Sequence, residues 1–160
     1  KMKKANIGIT DKNREIVADQ LSKILADEFV LYSKTLNAHW NVEGPDFHAA
    51  HVYLETLYKQ QQKIVDAVAK KIRTLGHYTP AHLAKYLELT HLTESSPEKN
   101  DSQTFYADLL MDHESIIIFL KENIKPFAEK QKAESFSDYI TELMEYHEKT
   151  AWMLRSHLKE

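Results

Sequence analysis

The chain has 160 residues, enough for one domain with a sizeable core. Its 42% hydrophobic and 28% charged residues are ordinary for a water-soluble globular protein, and a net charge of −3 excludes an overall basic field for nucleic acid. The absence of cysteine excludes a disulfide framework and thiolate chemistry, and no apolar run approaches a membrane span. No signal-peptide pattern opens the chain, so the expected location is cytoplasmic. Three glycines and four prolines leave few places for turns and favour a few long elements.

In chain order, residues 1–9 are expected to form a flexible tail. It carries the one basic cluster, Lys1-Met2-Lys3-Lys4, in which Lys1 precedes what reads as an initiator methionine. The cluster is either a short arm for DNA or a frayed, solvated terminus. Thr10 and Asp11 offer N-cap side chains before a helical pattern that runs to about Ala38. Leu21, Ile24, Leu25, Phe29, Tyr32 and Leu36 recur there at three and four residues, an apolar stripe of helical period. A Gly44-Pro45-Asp46 corner follows. Asp46 can cap a second helix reaching about Leu75, with Leu54, Leu57, Ile64, Val68, Ile72 and Leu75 in phase and Gly76 as its C-terminal glycine.

Residues 77–100 read as a short helix over Pro80–Glu88 and then a polar link with Ser95, Ser96 and Pro97. A third helix is expected from Ser102 to Lys125, with Tyr106, Leu110, His113, Ile117, Leu120 and Ile124 inward and Pro126 as its stop. Ser135-Phe136-Ser137-Asp138 is a capping-box pattern opening a fourth, whose stripe is Phe136, Ile140, Leu143, His147 and Leu154. The sum is a single all-α domain over residues 1–160, a four-helix bundle with one long crossover between helices 2 and 3. His113 and His147 fall on core stripes, where hydrogen-bonded core histidines are the expectation, and Trp152 and Met153 read as packing residues. The one Glu-x-x-His spacing, Glu88 to His91, lies in the crossover, so no metal centre is expected inside the bundle.

The chemistry concentrates around the corner. His39 lies five residues before Gly44 and His51 six after Pro45, so antiparallel helices bring both imidazoles to one level. Glu55 follows His51 by one turn on the same face. Two imidazoles and a carboxylate suit a divalent transition metal such as iron or zinc; ordinary packing with an i,i+4 hydrogen bond is the alternative. Asp66 is fifteen residues beyond His51, roughly 22 Å along a straight helix, and cannot join them within one chain. A second copy related by a two-fold axis would bring its Asp66 to the cluster, whereas a monomer still offers three ligands and water. Asp66 and Lys70 form a one-turn pair that also reads as a salt bridge.

Over most of its length the chain resembles the Dps family of mini-ferritins, the DNA-binding proteins from starved cells. The resemblance is carried by His39-Trp40-Asn41-Val42, Gly44-Pro45-Asp46-Phe47, His51, Asp66, the Arg73-x-Leu75-Gly76 ending, and Glu148-Lys149-x-x-Trp152-Met153-Leu154-Arg155. The short crossover helix matches one that the family carries there. The resemblance implies a ferritin-like bundle assembled as a homododecameric shell, which oxidises Fe²⁺ with H₂O₂ or O₂ and stores ferric mineral. It implies His39, His51 and Glu55 of one subunit and Asp66 of its partner as iron ligands, with Trp40 beside them. Asp138 matches an acidic position lining the three-fold pores; complementing its helix dipole is the alternative. One position departs from the family pattern. Lys70 stands where the family usually has a Glu, placing an ammonium where a carboxylate should hold Fe²⁺. A weakened or single-metal centre is expected, and a shell without oxidation that serves a structural or DNA-protecting role is the alternative.

Overall fold

A computed structural model describes residues 2–94 and 97–159; Lys1 of the basic cluster and Ser95 and Ser96 of the polar link lie outside the described residues. Five α-helices are present among them: α1 (Asp11–Asn41), α2 (Phe47–Thr74), α3 (Leu83–Leu89), α4 (Ser102–Lys125) and α5 (Glu134–Ser156). α1 and α2 form one antiparallel hairpin, α4 and α5 another, and the crossover carrying α3 joins them. This is the ferritin-like bundle with an extra crossover helix that the periodicity and the resemblance led to expect.

Each helix buries the stripe that its spacing prescribes. Leu21, Ile24, Leu25 and Leu31 of α1, Leu54, Val68 and Ile72 of α2, Leu109, Ile116 and Leu120 of α4, and Ile140 and Leu154 of α5 are almost wholly buried. Thr10 caps α1, its Oγ1 accepting from the Asn13 amide, and Asp101 caps α4, its Oδ2 accepting from the Thr104 amide at 3.1 Å. The crossover is pinned to α1 by polar latches. Asp27 is buried and accepts from the Thr90 hydroxyl, the His91 amide and the His91 ring, while Phe29 stacks on Tyr86 at 4.6 Å. Lys34 donates to the Thr93 carbonyl at 2.9 Å and pairs with Asp112 of α4 at 2.8 Å.

Four local expectations are corrected. Asp46 sits at the N-cap position of α2 but caps nothing; its Oδ2 accepts from the Ser102 hydroxyl at 2.5 Å and so ties the corner to the start of α4. Pro126 ends α4 without ending the winding. The chain continues as a π-helical turn, Pro126–Lys130, whose wider ring is closed by the Gln131 amide on the Pro126 carbonyl, with Phe127 fully buried inside it. The Ser135 capping box does not form, because α5 starts two residues earlier, with Ala133 at its N-cap. Phe136 and Ser137 in its first turn are buried, and the Ser137 hydroxyl donates to the Ile124 carbonyl at 2.7 Å. Trp152, read as a packing residue, is 60% exposed within the single chain.

At mid-height the core turns polar. Glu28 of α1, Gln61 of α2, His113 of α4 and His147 of α5 are all completely buried. His113 and His147 share a hydrogen bond of 2.8 Å between their Nδ1 atoms, as expected of core histidines, and Nε2 of His147 bonds to Glu28.

Two buried groups give stability opposing pH slopes. Burial, with His147 nearby, holds His113 well below the ordinary 6.5. Below that value the unfolded chain binds a proton that folded His113 refuses, so stability falls as pH falls. Burial pushes Asp112 from 3.8 up to about 6, only partly offset by Lys34. Between those values the folded state binds the extra proton, so stability rises as pH falls. Asp112→Asn removes the second effect alone. Its unfolding free energy should then drop by about 1.4 kcal/mol per pH unit below about pH 6.5, while the wild-type profile stays flatter, as read from urea titrations at fixed protein concentration.

Candidate functional site

The α1–α2 hairpin places His39, in the last turn of α1, against His51, in the second turn of α2. Their rings stack with centroids 3.9 Å apart and planes 12° from parallel. Nδ1 of His39 lies 2.8 Å from the His51 carbonyl, and Nδ1 of His51 lies 2.8 Å from the His39 carbonyl. A carbonyl only accepts, so each Nδ1 carries a proton, and in the neutral ring each Nε2 is left with a free lone pair. This reciprocal clasp fixes the tautomer in which an imidazole binds a metal through Nε2, with the carbonyl as its outer support. Tyr58 at 5.1 Å from His39 and Phe47 at 5.0 Å from His51 wall the pair.

The carboxylates are engaged elsewhere. Glu55 pairs with Lys59 at 3.6 Å and Asp66 with Lys70 at 2.6 Å, both at i,i+4 on the partly open face of α2. Such pairs are worth little in water and yield readily to a stronger cation. Among the described residues of one chain, no three or more His, Asp or Glu side chains are grouped to hold a metal ion. The two histidines therefore meet as the spacing requires, Glu55 lies beside them in sequence but turned to Lys59, and Asp66 stays remote within the chain. Trp40, the residue after His39, is 67% exposed, and Phe47 and Val52 are about half exposed on the same corner. Asp138 is exposed near the start of α5.

Sequence reading missed Glu28. It sits on the apolar stripe of α1 between Leu25 and Leu31, and a lone carboxylate in that register was the available signal for the buried polar layer.

The ferritin-like domain family matches residues 18–160. The DNA protection during starvation protein 2 of Bacillus anthracis is 30% identical over 148 residues, covering 92% of this chain and 99% of its own. The chain belongs to the Dps family. A low temperature-induced protein of Nostoc is 35% identical to this Dps-family chain over 158 residues, covering 99% of it and 88% of the relative. The solved structure of Dps from Mycobacterium smegmatis superposes with a TM-score of 0.91 at 25% identity, covering 99% of this chain and 96% of that one. Among the described residues, no helix of this Dps-family chain is long and apolar enough to cross a membrane.

Proposed function

We propose that the protein is an iron-storage and detoxification mini-ferritin that oxidises Fe²⁺ with H₂O₂ or O₂ at sites between subunits and keeps the ferric product inside a dodecameric shell in the cytoplasm. The observation that carries this reading is the His39–His51 clasp, whose two free Nε2 lone pairs form a ready imidazole donor set at an exposed, aromatic-rimmed corner. His39, His51 and Glu55 of one subunit and the partner subunit's Asp66 are the ligands, with Trp40 against the site. Glu55 and Asp66 must leave Lys59 and Lys70 to bind iron, and their exposure makes that exchange easy. Two Fe²⁺ ions each give one electron to H₂O₂, its O–O bond breaks, and two protons complete two waters. The protein's part is to hold the iron where this two-electron route outruns hydroxyl-radical release. Asp138 lines the pore by which Fe²⁺ enters.

Anaerobic titration should show Fe²⁺ bound by the assembled wild-type protein, and added peroxide should produce ferric absorbance. No binding and no absorbance would sink the proposal. Lys70 is the internal brake, since its ammonium neutralises the carboxylate that iron needs. Lys70→Glu should therefore raise the initial oxidation rate by about tenfold or more, in the range that a metal's outer partners command. An unchanged rate would mean that Lys70 swings clear of the centre.

The second reading, a shell without oxidation that protects DNA, rests on exposed Lys3 and Lys4. Lys4 already pairs with Asp11 at 2.6 Å, which weakens it. Gel shifts at low and moderate salt, with and without residues 1–4, separate the two readings: binding that disappears with those residues supports the second, and no binding at any salt removes it.

A further inference from the structure

The buried polar layer takes no part in the iron chemistry above. Glu28, His147 and His113 form one hydrogen-bonded chain across three helices, all with no exposed surface. A carboxylate only accepts, so Nε2 of His147 carries a proton toward Oε1 of Glu28. Two ring nitrogens facing each other at 2.8 Å hold one proton between them. These two conditions leave two proton arrangements. In the first, His113 owns the bridging proton, both rings are neutral, Nε2 of His113 is a bare lone pair and Glu28 keeps its charge. In the second, one more proton sits on Nε2 of His113, the bridging proton has passed to His147, and the resulting imidazolium neutralises Glu28. The two differ by one proton, and no heavy atom needs to change partner.

We propose that Glu28–His147–His113 is a proton-binding site at the centre of the bundle, loaded at Nε2 of His113 and storing its positive charge on His147 beside Glu28. Among the described residues, Nε2 of His113 and Oε2 of Glu28 have no hydrogen-bond partner, so the entry atom and the second carboxylate oxygen each keep an unused lone pair. On α2 Gln61 is also completely buried, and among the described residues its amide oxygen and nitrogen are likewise without partners. From α5 the layer is faced by Tyr139 and Tyr146, kept neutral because burial, with Glu28 adding to it, raises both phenols. On α4 the adjacent Asp112 is turned to Lys34, and on α1 Asp27 is turned to His91. Burial keeps His113 from being the cation, as the second arrangement requires. A cavity of about 310 Å³ between α2 and α5 is lined by Tyr139, Tyr146, Lys63 and Glu142. Tyr146 stands there edge-on to His147 at 5.1 Å.

The test is neutron diffraction from crystals of the assembled wild-type protein, exchanged into D₂O at about pH 5.5 and about pH 8.5, on either side of the ordinary imidazole value. The expected result is deuterium on Nε2 of His113 at the lower pH and none at the higher, with deuterium between the two Nδ1 atoms at both. Equal occupancy at both pH values, a deuteron on Glu28 instead, or a metal ion on Nε2 of His113 would each overturn the proposal. Glu28→Gln removes the counter-charge, so its crystals should show Nε2 of His113 bare at both pH values; loading that persists there also overturns it. The wild-type measurement decides the matter even if that variant does not fold, and it is independent of whether the shell oxidises iron.

Discussion

His51→Ala should abolish most of the iron oxidation, lowering the rate by about two orders of magnitude, and His39→Ala should do the same. Each substitution removes one Nε2 lone pair. Each also removes one half of the clasp, because the lost ring no longer donates to the other residue's carbonyl. The surviving ring keeps its own bond, since the carbonyl it uses belongs to the backbone. The two variants should therefore be equally impaired, and the double variant little worse than either, as for groups that act as a unit. His48 supplies the control. It is exposed, lies one turn before His51 and makes no side-chain hydrogen bond among the described residues, so His48→Ala should leave the rate unchanged. Stopped-flow absorbance after peroxide addition to anaerobically loaded protein reads all four. Full activity in His51→Ala would remove the clasp from the mechanism.

Glu28→Leu should lower the unfolding free energy by about 3–5 kcal/mol, because it strands a buried imidazole pair that loses its carboxylate. The triple replacement Glu28→Leu, His113→Leu, His147→Leu should recover most of that loss and come within about 1–2 kcal/mol of wild type, since an apolar layer needs no partners. Urea unfolding at fixed protein concentration distinguishes the outcomes. A triple variant as unstable as the single one would show that the layer is worth more as a polar network than its hydrocarbon replacement. Recovery would mean that the network is kept for something other than stability.

The long elements were legible because their signals are local and repeated. The Ser102–Lys125 boundaries, drawn from the three-and-four spacing and Pro126, coincide with α4, and the Asp101 cap emerged only with the structure. The meeting of His39 and His51 followed from counting residues across one tight corner. What failed were single-residue end signals with a competing tertiary use. Asp46 carries a capping side chain, but the Ser102 hydroxyl on α4 claims it first, and Ser135 falls inside α5 because that helix begins at Glu134. The π-turn after Pro126 is beyond sequence reasoning of this kind, because it depends on burying Phe127. The polar chain needs three helices brought together, a relation that no single stripe reveals. The Asp66–Lys70 pair was legible from its one-turn spacing, but the turn of Glu55 to Lys59 shows only once the side chains are in place.

Gly76 closes α2 at φ +80°, and a methyl group there would stand 3.0 Å from the Ala5 side chain. Arg14, nearly buried, reaches the Leu75 carbonyl at 3.2 Å and the Ile9 carbonyl at 2.7 Å on either side of that contact. The leading segment is thus moored at its middle and at its end, and ahead of Ala5 Lys4 pairs with Asp11 while the Met2 sulfur accepts from Arg73. How far Lys3 can stray from the bundle is set by these contacts rather than by the count of residues before the first helix. A bulkier residue at position 76 would cast the segment off without touching a single lysine.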